Sequence, residues 1–162
     1  MIDTRKTVVS VESLYAGYEG QSIFENLSFE VKQGEIFVIL GGSGCGKSTL
    51  LRLLIGLKQP DSGKIVINGT DISTAGEKEM LKVRKETGVL FQSGALLGSM
   101  SLAENVALPI REYTSLTDSE SHNSVKMKLA MVSLAGFDGH RPSEISGGMI
   151  KRAGLARAMA LD

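Results

Sequence analysis

The sequence predicts an α/β fold built on a mixed sheet, with an amino-terminal antiparallel part and a helical insertion. Three observations carry this. Ile36–Leu40 is a run of five apolar residues rich in β-branched types, the composition of a strand buried on both faces. A glycine-rich turn follows, and Leu50, Leu51, Leu54 and Leu57 then recur at helical spacing. Upstream, residues 7–14 and 24–31 alternate apolar with polar side chains, as half-buried antiparallel strands do.

Taken in order, the first strand at 7–14 leads into Tyr15-Ala16-Gly17-Tyr18-Glu19-Gly20, a turn carrying two aromatics in a chain that is only 5% aromatic. Either tyrosine can stack on a base or pack against a strand end. The second strand places Phe24, Leu27, Phe29 and Val31 towards a core, and Gln33-Gly34-Glu35 turns the chain into the Ile36–Leu40 strand.

Gly41 to Ser48 fits G-x-x-x-x-G-K-[ST], the phosphate loop. Glycines at 41, 42, 44 and 46 permit backbone conformations closed to other residues, so successive N–H groups can ring an anionic phosphate together with Ser43 and Cys45. Lys47 is positioned to reach the β- and γ-phosphates and Ser48 to ligate Mg²⁺. With Thr49 they open a helix whose positive dipole end adds to the attraction.

Beyond that helix, Lys58–Gly63 reads as a turn and Lys64–Asn68 as a short strand closed by Gly69 and Thr70. Residues 76–86 are charged, with a thin apolar stripe at Met80, Leu81 and Val83, and read as a surface helix. Gly88–Phe91 is a second short buried strand that delivers Gln92 at its carboxyl end, where ligands of parallel sheets bind. A glutamine there either holds a metal-bound water or is an ordinary loop residue. Ser93–Met100 is small and apolar, so it is buried or faces another protein.

Ser101-x-x-Glu104 and Thr117-x-x-Glu120 are capping boxes that start helices near Leu102 and Asp118. Pro109 is expected to end the first. The second is expected to run to about Leu134, with Val125, Leu129, Val132 and Met131 on its buried side and Gly136 as its stop. His122 and His140 stand apart from any cysteine or acidic ligand pattern. A last helix is expected over Ile150–Leu161, with Lys151, Arg152 and Arg157 on a face set against Ile150, Leu155, Ala158 and Met159. Before it, Ser146-Gly147-Gly148 reads equally as a second anion-binding nest or as a plain serine cap.

Composition excludes several classes. The 162 residues, 42% hydrophobic, suffice for one core with a helical insertion. Lys plus Arg and Asp plus Glu number 18 each, so no bulk basic field recommends nucleic acid or an anionic membrane surface. Cys45 is the single cysteine, which excludes an internal disulfide and suits a reducing compartment. No apolar run approaches the roughly 18 residues of a membrane span, and the first residues form no hydrophobic signal segment.

Together the motifs resemble the nucleotide-binding subunit of ATP-binding-cassette (ABC) transporters, members of the P-loop NTPase class. Gly41–Ser48 is similar to the Walker A loop, Tyr18 stands where that family's adenine-stacking aromatic belongs, and Gln92 matches its Q-loop glutamine. Ile145-Ser146-Gly147-Gly148-Met149 resembles the signature motif, usually Leu-Ser-Gly-Gly-Gln. Val89–Leu96, Glu104–Glu112 and Ile145–Met149 with Lys151-Arg152-Ala153 resemble most the Mla and toluene-tolerance subgroup, whose cassettes serve lipid transport with a multispan permease and an MCE-domain protein.

The resemblance implies ATP and Mg²⁺ as cofactors. Tyr18 and Gly41, Gly42, Ser43, Gly44, Cys45, Gly46, Lys47, Ser48 and Thr49 would contact the nucleotide, and Ser146, Gly147 and Gly148 would do so from a second subunit. Lys47 and Gln92 would be the catalytic residues and Ser48 and Gln92 the metal ligands. It implies a head-to-tail homodimer, a permease meeting residues 93–100, an MCE-type lipid-binding partner, no nucleic acid, and a peripheral place on the cytoplasmic face of the inner membrane. Expected regions are a core at 1–92, a Q-loop and helical part at 93–145, and the signature with its helix at 146–162.

Two departures bear on this. Met149 replaces the usual glutamine, and the sequence stops at Asp162, before the strand that in this family ends in Asp-Glu and before its histidine. The expectation is an amino-terminal portion of a longer ATPase, binding nucleotide weakly and not turning it over by itself. Two other classes match the phosphate loop. An ATP-gated clamp on DNA or the ribosome would carry a coiled coil or a second cassette, whereas only residues 93–145 separate Gln92 from Ser146. A small-molecule kinase leaves Ser146–Gly148 and the Gln92 loop without a role.

Overall fold

β1 (Thr7–Tyr18) and β2 (Gln21–Lys32) form an antiparallel hairpin in the computed structural model, which describes residues 5–162. Only Glu19 and Gly20 connect them, with φ of 45° and 83°. Two positive φ values in a two-residue loop match the right-handed twist of the flanking strands, so the expected six-residue turn shrinks and both strands lengthen. β3 (Ser62–Ile67) and β4 (Thr70–Asp71) complete a four-stranded antiparallel sheet in the order β2-β1-β3-β4.

The chain divides into two units, residues up to Arg84 and residues 85–162. In the first, Val11, Leu14 and Ala16 of β1 and Ile65 and Ile67 of β3 are buried with Leu50 and Leu53 of α1 (Lys47–Leu54) and Met80 and Val83 of α2 (Glu77–Lys85). Val11 and Leu14 share this core although they are three apart, which strict alternation forbids. A bulge resolves it: the register shifts between them, Ser13 sits at φ 45°, and its N–H donates to the Ser28 hydroxyl at 2.8 Å. On α2 the buried stripe is Met80 and Val83, while Leu81 is exposed.

The expected buried strands at Ile36–Leu40 and Gly88–Phe91 do not form. Neither segment enters a ladder among the described residues, and Ile36 and Leu40 are 91% and 86% exposed. An apolar parallel strand needs a strand on each edge to satisfy its backbone, and the described residues offer these segments none. The sheet present is therefore antiparallel rather than mixed. Phe37 anchors its segment by stacking on Phe29 of β2, with ring centroids 5.0 Å apart.

The second unit is helical. α3 (Leu102–Tyr113), α4 (Asp118–Met131) and α5 (Gly147–Ala158) enclose Leu102, Val106, Ile110, Val125, Leu129, Leu134, Ala153, Ala156 and Ala160. Both capping boxes form as expected, at Ser101/Glu104 and Thr117/Glu120. Pro109 does not end α3 but lies inside it. It forfeits one intrahelical hydrogen bond, while buried Val106, Ala107 and Ile110 on either side hold the helix together by packing. Met131 is 61% exposed, so the buried side of α4 passes through Ser121, Val125, Lys128 and Leu129 instead. α5 begins at Gly147, earlier than expected, and buries Ala153, Gly154 and Ala156 while Leu155 stays exposed. Small residues let its backbone approach its neighbours closely, which an apolar-size pattern does not show.

Candidate functional site

Gly44 and Gly46, at φ 81° and 97°, turn the chain so that α1 starts at Lys47. Gly46 is the N-cap in a left-handed conformation, and no side chain caps the helix. A Cβ at Gly46 would lie 2.5 Å from Ile23 Cγ2 and 2.8 Å from Phe24 Cζ, so both conformation and space require glycine there. The first-turn N–H groups of α1 are thus left to an external acceptor. Lys47 Nζ donates to the carbonyls of Gly41 at 2.7 Å and Gly42 at 2.6 Å, and approaches Cys45 Sγ at 3.5 Å. Its charge is held over the turn by neutral acceptors that an anion can replace. Ser48 is exposed beside it, whereas Thr49 is buried in the α1 interface.

Tyr18 ends β1 next to the same helix. Arg52 Nη1 of α1 donates to its hydroxyl at 3.5 Å, and Lys58 Nζ lies 4.5 Å from the ring centroid. Arg52, then the Thr49 hydroxyl, hold the phenol below its usual range, against a smaller opposing effect of burial. The ring remains 43% exposed, beside a hollow of about 400 Å³ lined by residues 17–22 and Asp61. The fold thus brings Tyr18 and the phosphate-loop helix together within the first unit.

The second unit holds Gln92 and the serine–glycine turn. Gln92 is exposed in a turn closed by the Gly94 N–H donating to Phe91 O at 2.8 Å. Ser146 caps α5 by accepting from Met149 N–H at 3.3 Å, and Gly147 and Gly148 form its exposed first turn. The serine therefore serves as a cap. Met149 packs partly buried against the helical core, which accounts for an apolar residue at that position.

Four residues of these surroundings escaped the reading of the sequence. Arg52 and Lys58 carry no pattern that would place them on Tyr18. Asn105 did carry a signal, a lone amide among apolar helix positions, and it is fully buried against the 97–101 loop. Arg157, expected on a basic face, reaches back to the carbonyls of Gly94 and Ala95.

The ABC transporter family model matches residues 24–162. The "Probable ribonucleotide transport ATP-binding protein mkl" of Mycobacterium tuberculosis is 48% identical over 154 residues, covering 95% of this chain and 43% of the relative. The "Intermembrane phospholipid transport system ATP-binding protein MlaF" of Escherichia coli K12 is 48% identical over 140 residues, 86% of this chain and 52% of the relative. Its Haemophilus influenzae counterpart is 45% identical over 97% of this chain and 60% of its own length. The chain thus spans about half the length of the curated relatives it matches. Among solved structures, the dimeric post-hydrolysis state of the ATP-binding cassette MJ0796, bound to ADP and Pi, superposes with a TM-score of 0.86 at 29% identity, covering 94% of this chain and 69% of that one. The cassette cbiO1 of Clostridium perfringens, part of the ABC transporter complex cbiONQ, superposes with a TM-score of 0.82 at 26% identity, over 96% of this chain and 62% of that one.

Proposed function

The chain belongs to the ABC transporter family, and from that premise we propose that it forms the nucleotide-holding part of an ATP-binding subunit that powers a membrane transporter. The observation that carries this is the Gly41–Ser48 turn. Gly44 and Gly46 take left-handed φ, α1 lacks a side-chain cap, and the Lys47 ammonium lies on loop carbonyls. An uncapped helix start beside an ammonium group held only by neutral carbonyls fits the phosphates of ATP with Mg²⁺. The turn amides and Lys47 would bind the phosphates, Ser48 the metal, and Tyr18 the base. ATP supplies the free energy of the cycle.

In this reading Gln92 orients the attacking water beside the metal, and Ser146, Gly147 and Gly148 close on the nucleotide of a second subunit. Two chains face head to tail, and each site is completed by the other's α5 start. That the MJ0796 cassette is dimeric supports a two-chain assembly. Lys47 anchors and neutralises, Gln92 positions, and the small apolar 93–100 segment meets a permease at the cytoplasmic face of the inner membrane. No helix among the described residues is long and apolar enough to cross a membrane.

For the cargo we propose phospholipids or similar hydrophobic molecules, with an MCE-type lipid-binding partner. The MlaF proteins are named for phospholipid transport, and the resemblance at Phe91–Leu96 and Ser146–Met149 points the same way. A relative named for ribonucleotide transport has equal identity. The deciding experiment reconstitutes the full-length protein with its permease in vesicles and measures Mg-ATP-dependent transfer of labelled phospholipid and of labelled ribonucleotide. Transfer of phospholipid alone supports the reading, and transfer of ribonucleotide alone overturns the cargo.

A further inference from the structure

Arg157 lies near the end of α5, and its guanidinium donates through Nη1 to Ala95 O at 2.7 Å and through Nη2 to Gly94 O at 2.9 Å. Gly94 is the last residue of the Gln92 turn and Ala95 follows it. Gly94 is buried, sits at φ 78° and closes that turn through its own N–H on Phe91. A planar fork meeting two successive carbonyls fixes orientation as well as distance.

Two earlier turns of α5 touch the same loop. A Cβ at Gly154 would lie 2.9 Å from Gly94 Cα, and a Cβ at Gly94 would lie 2.8 Å from Ile150 O. Residues 150, 154 and 157 share a helix face, so the loop rests on α5 along three successive contacts. On its far side the loop is tied to α3, where Asn105 accepts from Leu97 N–H at 2.7 Å and donates to Leu97 O and Ser101 O. The guanidinium is half-buried, and burial lowers its pKa without removing its charge.

We propose that Arg157 is a positioning residue for Gln92: it makes the glutamine turn and the serine-capped helix α5 one rigid piece, so that Gln92 moves with Ser146–Gly148. The inference rests on the reading above in which Gln92 acts in nucleotide turnover. Arg157 touches no nucleotide in this scheme. Its loss therefore alters how Gln92 is presented, not how tightly ATP binds.

The test is steady-state ATP hydrolysis by the full-length protein in complex with its permease. Arg157→Met should lower kcat about tenfold while the KM for ATP stays within about twofold. Arg157→Lys, which keeps a donor, should restore most of the loss. In a Gln92→Ala background, Arg157→Met should cost less than about a further twofold, because both changes disable one function. Gly154→Ala keeps Arg157 but displaces Gly94, and should give the same loss confined to kcat. Full kcat in Arg157→Met and Gly154→Ala, a loss additive with Gln92→Ala, or an effect on KM alone overturns the inference while Gln92→Ala remains impaired. If Gln92→Ala hydrolyses normally, the role assigned to Gln92 fails and this inference fails with it.

Discussion

The Lys47 ammonium lies 2.6 Å from the Gly42 carbonyl oxygen, folded back onto the turn that precedes its own helix. That contact and its twin to Gly41 join a cation to neutral dipoles, and a phosphate oxygen offers a stronger, charge-assisted partner at the same place. Lys47→Ala should therefore weaken Mg-ATP binding by about 100-fold, the loss of one strong ionic hydrogen-bonding group. Titration calorimetry on the full-length protein measures it, and an unchanged affinity would remove the phosphate loop from the site.

Asn105 governs stability of the second unit. Its buried amide accepts from Leu97 N–H and shares its own hydrogens among Leu97 O, Met100 O and Ser101 O, at 3.1, 3.3 and 2.9 Å. Asn105→Ala strands those groups without water and should cost about 2–4 kcal/mol in urea unfolding. Asn105→Asp should be at least as damaging, because a carboxylate has nothing to donate to three carbonyls. A cost below 1 kcal/mol, roughly that of a solvated hydrogen bond, would show that the loop is not held by this residue.

The elements that carry local chemistry were legible in the sequence, and those that depend on distant partners were not. Gly44, Gly46 and Lys47 stand where the motif puts them because a tight turn into a helix is decided by neighbouring residues. Ser101/Glu104 and Thr117/Glu120 formed their boxes for the same reason. Ile36–Leu40 has the composition of a central strand, but a strand exists only with partners on its edges, and composition cannot supply them. Pro109 stays inside α3 against its propensity, which weighs one hydrogen bond and ignores the apolar side chains packed on both sides of it. Arg157 acts through backbone carbonyls, which leave no trace in side-chain pattern, and Asn105, which also does so, shows in the sequence only as a lone amide among apolar helix positions.

The two capping boxes give the acid limb of stability a defined sign. The Ser101 N–H, then its hydroxyl, hold the Glu104 carboxyl below the usual 4.5, and the Thr117 hydroxyl, then its N–H, do the same for Glu120. In the unfolded chain these carboxyls keep their ordinary affinity for protons. As pH falls through 4.5 the unfolded state takes up protons first, so the stabilisation, fully present above that value, is lost progressively below it. Glu104→Gln with Glu120→Gln should flatten the dependence of urea midpoint on pH between about 5 and 3, leaving the neutral limb parallel to that of the parent. An acid limb of unchanged slope would assign it to other carboxylates.

Gly63, the second residue of β3, and Gly69, just beyond its end, separate two costs that glycine substitution usually mixes. Both have left-handed φ, 93° and 84°. Around Gly69 nothing lies within 4 Å of an added Cβ, so Gly69→Ala meets only the conformational penalty, about 1 kcal/mol. At Gly63 the added carbon would lie 2.7 Å from Leu14 Cα and closer still to Ser13 O, at the bulge where β1 changes register against β3. Those are backbone atoms, and moving them displaces Leu14, which is fully buried. Gly63→Ala should therefore cost at least about 3 kcal/mol, and the gap between the two variants in urea unfolding reads the steric share directly. Equal costs would mean that the bulge yields, and that the β1–β3 register is softer than the packing of Leu14 implies.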